Sequence, residues 1–435
     1  MHKNKILKQV SIILVPVIIV MGLLADLILG HYQHWLLPLA HFATSFLLGA
    51  LVVMLLTPVM IFLSRRTGVL DHPDSRKVHK NPMPLFGGLA IYLGFLGVSS
   101  LLFVLTPEMK SILAAASILL VLGTIDDMIG LSSVVRLLGQ LAATFIIISS
   151  GLIVSFTPEV WWGNLLGGAV TIIWVLGITN ALNFMDGMDG LAAGITMIAA
   201  MFFFLITMHL KEFHVAMMAS LLMGCCAGFL FFNFRPARIY LGDGGSSFLG
   251  FMLAAMALYG GWSDRGPVIA LGIPSLILGV LIFDMCYITI SRIKNGYVRN
   301  VRQWLDHTGR DHFHHRLVHL GFKDEQAVIF IYIVCLSLGL GALLLHKARV
   351  VFPVAVLTAQ AVLIFVNIVI LMRVGRKLTI PRSGLAVQSK EDEAVFRQVE
   401  AIVKGSPGVS SYEEKAVPEG RADVREEAAA VKSGS

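Results

Sequence analysis

Residues 180–191 read NALNFMDGMDGL, and they interrupt two apolar runs, at about 165–182 and 191–208, each long enough to approach a bilayer crossing. The interruption carries two amides, Asn180 and Asn183, and two carboxylates, Asp186 and Asp189, with turn signals at Gly187, Gly190 and Gly194. Polar groups pinned between membrane spans are costly unless they face water or perform chemistry. The stretch therefore reads as a functional connection between transmembrane helices.

Composition supports that reading. Of 435 residues, 56% are hydrophobic and 14% charged, and the mean hydropathy is +0.80. A soluble chain carries charge on roughly 25% of its residues, so a large soluble helical protein is excluded. The expected fold class is all-α, a polytopic membrane protein of about eleven to twelve transmembrane helices. Expected spans lie near residues 42–63, 88–105, 112–124, 137–153, 165–182, 191–208, 215–232, 246–259, 268–290, 327–345 and 350–372. An uncleaved helix precedes them, ending near Gly30, because its run is too long for a signal peptide and no small-residue cleavage site follows. The thirteen-residue run at 112–124 is short for a crossing.

Three parts follow: an additional N-terminal helix and outer loop (1–40), a membrane core (41–375), and a charged, aperiodic tail (376–435) expected to be mostly disordered. The net charge is +7, and Lys and Arg gather on one side of the helix count, at Lys3–Lys8, 65–80, 292–316 and 373–377. The positive-inside rule puts both termini and every polar motif in the cytoplasm. No aromatic-basic signature accompanies the charge, so nucleic acid is not an expected partner. The cysteines, Cys225, Cys226, Cys286 and Cys335, sit in apolar runs without metal or disulfide spacing.

Four more stretches are rich in chemistry. Asp126-Asp127-Met128-Ile129-Gly130-Leu131 closes the fourth span, followed by Arg136 and Gln140. Adjacent carboxylates repel, which favours a bound cation, and Mg²⁺ suits such hard oxygen donors; a solvated helix end is the plainer alternative. Asn233 to Ser247 contains Gly242-Asp243-Gly244-Gly245, where backbone amides at a helix start can meet an anion and Asp243 suits a metal. There a simple N-cap by Asp243 or Ser246 is the alternative. Residues 306–317, DHTGRDHFHHRL, mix imidazoles with Arg310 and Arg316, which suits phosphate or sugar better than zinc. The basic loop 65–86 carries Lys77 and His79. Asp284, near the cytoplasmic end of its span, reads as structural.

These motifs, in this order from about Phe42 to Arg373, resemble the polyprenyl-phosphate N-acetylhexosamine-1-phosphate transferases of glycosyltransferase family 4: DHPDSRKVHKNPMPLFGG, DDMIGL, NALNFMDGMDGL, NFRPARIYLGDGGSS and HFHHRL. The resemblance implies that a polyprenyl phosphate attacks the β-phosphate of a UDP-amino sugar, releasing UMP, with Mg²⁺ (Mn²⁺ as a substitute) as cofactor. It implies catalytic roles for Asp126, Asp127 and Asp186, metal binding by Asp243 and Asp127, and substrate binding by Lys77, His79, Asn180, Asn183, Asp189, His312, His314, His315 and Arg316. Arg136 departs from the lysine of many relatives. The H-x-H-H-R-L form resembles the branch that uses UDP-N-acetylglucosamine and undecaprenyl phosphate in a bacterial inner membrane. A phospho-N-acetylmuramoyl-pentapeptide transferase, or another amino-sugar transferase, is the alternative, and an anion transporter a distant one. A homodimer is the further expected assembly.

Overall fold

Inside a bilayer each backbone N–H and C=O must be satisfied by the segment that carries it or by a closed barrel. The computed structural model describes residues 36–72, 81–154, 160–262, 267–296, 298, 312–347 and 351–378, and takes the helical solution. The helices are α1 (Leu36–Thr67), α2 (Gly87–Leu102), α3 (Pro107–Ile129), α4 (Ser133–Ser149), α5 (Trp161–Met185), α6 (Leu191–Leu210) and α7 (Phe213–Asn233). They continue as α8 (Gly242–Tyr259), α9 (Pro267–Ile277), α10 (Gly279–Lys294), α11 (Phe313–His319), α12 (Asp324–Lys347) and α13 (Val351–Leu378). Among the described residues the only sheet is a two-residue antiparallel pair, β1 (Leu70–Asp71) with β2 (Met83–Pro84).

Each expected span after the first falls on helix, all but one of them on a single helix, and the protein is an all-α polytopic membrane protein. Seven of the described helices, α1, α3, α5, α6, α7, α12 and α13, are long and apolar enough to cross alone. The helices α2 and α4 are shorter apolar ones. Two expectations need correcting. The short run at 112–124 is the middle of a 23-residue helix, which begins where Thr106 accepts the N–H of Met109 and Pro107 occupies the first turn. Such a cap and an early proline extend a helix beyond its apolar stretch. The expected single span at 268–290 is two helices, α9 and α10, meeting at an 83° bend.

The expected first helix, and the tail beyond Leu378, lie outside the described residues.

At the centre stands α8. Between Gly242 and Ala257 all but Asp243 and Ser247 are buried, under cover of α2, α3, α5 and α6. Its start is stitched by backbone contact. A Cβ on Gly123 of α3 would lie 2.4 Å from Cα of Gly244, and one on Gly88 of α2 would lie 2.1 Å from Cα of Gly245. Small residues let membrane helices approach this closely and gain van der Waals contact along the seam. The amides of Gly87 and Gly88 also donate to the carbonyls of Tyr240 and Leu241. The polar end of α8 is thereby fixed against the ends of α2 and α3.

Candidate active site

The carboxylates at the end of α3 diverge. Successive helix residues point about 100° apart, and these two find different donors. Asp126 accepts the N–H of Leu131 at 2.5 Å and pairs with Arg136 Nη1 at 3.1 Å. Asp127 reaches across to α8, accepting the N–H of Asp243 at 2.9 Å and that of Gly244 at 3.4 Å. This corrects the expectation that the glycine-flanked amides stand open to an anion: two of them already hold Asp127. The alternative, a local cap by Asp243 or Ser246, is not seen either: the acceptor comes from another helix. Gly242 makes the entry to α8 possible with a φ of 77°, which side chains disfavour.

Asp243 is held from two other directions. Asn183 Nδ2, at the end of α5, donates to its Oδ1 at 3.2 Å and to Ser246 Oγ at 2.8 Å. Arg136 Nη1 stands 3.8 Å from its Oδ2. One turn before Asn183, Asn180 exchanges reciprocal amide bonds with Gln140 of α4 at 2.8 and 3.2 Å. The Asn180–Gln140 pair ties α4 to α5 behind the carboxylates.

The loop after α5 is clamped on several sides. Asp189 accepts the N–H of Ala237 at 3.0 Å, so its carboxylate organises the loop after α7 as well. Asn233 accepts the N–H of Gly190 at 3.0 Å and donates to the carbonyl of Ile239 at 2.9 Å. Tyr332 of α12 donates to the carbonyl of Gly190 at 2.6 Å. Asp186 ends α5 half-buried; burial first, then the charges of Asp243, Asp127 and Asp189, raise its carboxyl well above the usual range.

The histidine segment packs on the same loop. His312 lies 4.9 Å from the ring of Phe184, and a Cβ on Gly187 would lie 2.5 Å from Nε2 of His314. His314 is fully buried, and among the described residues neither ring nitrogen has a hydrogen-bond partner. Burial, then the neighbouring His315 and His312, hold it well below the usual imidazole range, so it is neutral. Arg316 lies 5.0 Å over the ring of Tyr287. Thus Asp126, Asp127, Asn180, Asn183, Asp186, Asp189, Asp243, His312, His314, His315 and Arg316 belong to one connected region on neighbouring helix ends. Lys77 and His79 lie outside the described residues.

Mg²⁺ fits this donor set. Among the described residues no three acidic or imidazole groups form a ready-made cage, but Mg²⁺ is usually held by one or two carboxylates, with water and substrate phosphate completing the shell. Asp243 and Asp127 retain acceptor capacity beyond the hydrogen bonds they make, since each carboxylate has about four lone-pair sites. A dication would offset the charges of Asp243, Asp127 and Asp189, which add to burial in raising the Asp186 carboxyl.

Sequence reasoning missed Tyr332 and the part played by Asn233. Tyr332 sits in an unremarkable apolar run, whereas Asn233 is polar at the end of one and was visible in principle.

The region's sequence has known counterparts. Residues 109–261 match glycosyl transferase family 4. The chain is 33% identical over 315 residues to a probable undecaprenyl-phosphate N-acetylglucosaminyl 1-phosphate transferase of Bacillus subtilis (strain 168), covering 70% of this chain and 85% of that protein. It is 31% identical over 350 residues to a decaprenyl-phosphate N-acetylglucosaminephosphotransferase of Mycobacterium tuberculosis (strain CDC 1551 / Oshkosh), covering 72% and 85%. With the undecaprenyl-phosphate alpha-N-acetylglucosaminyl 1-phosphate transferase of Escherichia coli (strain K12) it shares 26% identity, covering 64% and 78%. Similarity of this extent, spanning the helices that carry the carboxylates, means that the chain belongs to glycosyl transferase family 4, among the polyprenyl-phosphate N-acetylhexosamine-1-phosphate transferases.

Proposed function

We propose that this protein transfers N-acetylglucosamine 1-phosphate from UDP-N-acetylglucosamine to undecaprenyl phosphate, giving undecaprenyl-diphospho-N-acetylglucosamine and UMP. The reaction is the first membrane step of a surface polysaccharide or teichoic acid pathway. One observation carries the reading beyond the names of the relatives: Asp127, Asp243, Asn183 and Arg136, from α3, α8, α5 and α4, meet through hydrogen bonds and charge contacts. Phosphoryl transfer needs little covalent chemistry from a protein; it needs positioned cations and a held metal.

An oxygen of the lipid phosphate attacks the β-phosphorus of the sugar nucleotide, the new P–O bond forms, and the bond to the UMP oxygen breaks. Asp243 and Asp127 would hold Mg²⁺, which would supply charge neutralisation on the pyrophosphate. Asn183 orients Asp243, and Arg136 offsets the charge of Asp126 and Asp243. Asp126 or Asp127 takes any proton left on the lipid phosphate, a small contribution because a second phosphate pKa near ~6 leaves it mostly ionised at neutral pH. The stretch from Asn180 to Asp189, at the end of α5 and the turn after it, and the segment His312 to Arg316 hold the nucleotide and sugar. The site faces the cytoplasm of a bacterial inner membrane, where the sugar nucleotide is dissolved and the lysine and arginine loops gather.

The test is UMP release by purified protein given UDP-N-acetylglucosamine, undecaprenyl phosphate and Mg²⁺. Release that needs all three is the expected result, and a panel of UDP-sugars fixes the donor. No UMP with any donor, together with anion uptake into vesicles, would overturn the reading in favour of a transporter. A labelled sugar phosphate trapped on Asp126 or Asp127 would replace direct attack with a two-step route.

A further inference from the structure

Asp284 lies on α10 with 1% exposure, and it commits both carboxylate oxygens to one segment. Its Oδ2 is 2.8 Å from Nδ1 of His312, and its Oδ1 accepts the backbone N–H of Phe313 at 2.7 Å. The same face of α10 continues the grip. Phe283 packs edge-on against Phe313 at 6.0 Å, and Tyr287 accepts from Arg316 Nη1 at 3.3 Å. One side of α10 therefore holds residues 312, 313 and 316 at three successive points.

A carboxylate only accepts, so whenever the His312 ring is neutral its proton sits on Nδ1 and its lone pair on Nε2. The ring rests on Phe184, between Asn183 and Asp186 in sequence. Among the described residues the bond to Asp284 is the one hydrogen bond that the ring makes. Within the described residues one ring nitrogen is thus fixed, and Nε2 keeps its lone pair.

We infer that Asp284 is a positioning residue: it sets the tautomer of His312, so that Nε2 meets the sugar nucleotide as an acceptor for a hydroxyl or amide N–H. This inference rests on the proposed transferase reading. Its site is a sugar contact made by a histidine that the chain has oriented from behind, and it accounts for a carboxylate kept buried in a membrane helix at a cost.

Asp284→Asn separates orientation from shape. The Phe313 N–H still requires an acceptor, so the amide oxygen stays there and the NH₂ turns toward His312. Nδ1 then accepts, and the proton moves to Nε2. On protein labelled with ¹⁵N histidine and held well above the usual imidazole range, NMR should show the wild-type ring protonated on Nδ1 and the Asp284→Asn ring protonated on Nε2. In UMP release, Asp284→Asn should lower kcat/KM by roughly 10- to 100-fold, the range seen when orienting partners behind metal-bound histidines are removed. His312→Gln should lower it too, and the double variant should be no worse than His312→Gln alone.

A wild-type ring protonated on Nε2 overturns the inference, and so does a double variant whose losses multiply. An Asp284→Asn protein with the reversed tautomer and undiminished kcat/KM overturns it as well. If Asp284→Asn does not fold, the wild-type spectrum still decides the tautomer. Absence of UMP from the wild-type protein is a different failure, that of the transferase reading.

Discussion

Asp127 of α3 caps a helix to which it does not belong: its Oδ1 accepts the N–H of Asp243, at the start of α8, at 2.9 Å. The residue therefore has a structural task and a charge, and substitution can divide them. Asp127→Asn keeps one acceptor for the amide and removes the charge. It should unfold in detergent at close to the wild-type temperature while UMP release falls by about 100-fold or more. Asp127→Ala should lose activity and also about 1 kcal/mol of stability, as expected for a missing cap. Equal stability losses in the two variants would mean that the charge, rather than the acceptor, holds α8.

Arg136 places a single atom, Nη1, between two carboxylates, 3.1 Å from Asp126 and 3.8 Å from Asp243. A point charge can serve there, because the contact is not a bidentate fork. Arg136→Lys should retain activity within a few-fold, whereas Arg136→Gln should lower kcat by about tenfold or more, equivalent to about 1.4 kcal/mol in the barrier. Steady-state UMP release by the two variants checks this. A lysine variant as poor as the glutamine variant would show that the guanidinium's shape matters.

The seam between α3 and α8 has no room for a methyl group. A Cβ on Gly244 would stand 2.7 Å from Thr124 Oγ1 and 2.9 Å from the carbonyl of Leu120. Gly244→Ala should destabilise the protein by about 1–3 kcal/mol through overpacking. It should also lower activity by moving Asp243 away from Asp127. Thermal unfolding in detergent and UMP release measure the two effects.

Much of this arrangement was legible in the sequence. The spans were visible because membrane helices must be long and apolar, and the polar clusters because nothing apolar explains Asp126, Asp186 or Asp243 between them. Less visible was who partners whom. Nothing local says that Asp127 caps a helix that begins at Gly242, or that Tyr332 locks the carbonyl of Gly190. Such contacts depend on how helices cross, and pattern within one helix does not encode it. The 83° break between α9 and α10 was hidden for a related reason: both halves are apolar, so hydropathy runs through the bend unchanged.

Burial of His314 should make stability depend on pH. Its folded form is held neutral, well below the usual imidazole value of 6.5, by burial and its histidine neighbours. Such a group contributes fully above the unfolded pKa, and the contribution is lost as pH falls from 6.5 toward the folded value. Unfolding temperature should therefore drop as the pH is lowered through that window, and His314→Gln should flatten the drop. A slope unchanged by the substitution would assign the pH dependence to other groups.

The glycine contacts of α8 carry a consequence for the bilayer. Where helices are held apart by side chains, thinning or thickening the surrounding lipid can be absorbed by rotamers and small tilts. At Gly88–Gly245 and Gly123–Gly244 main chain rests on main chain, so the spacing of Asp127 and Asp243 is referenced to peptide atoms. Lipid-facing helices can follow the membrane while the two carboxylates keep their spacing, as a gauge block does inside a frame that flexes.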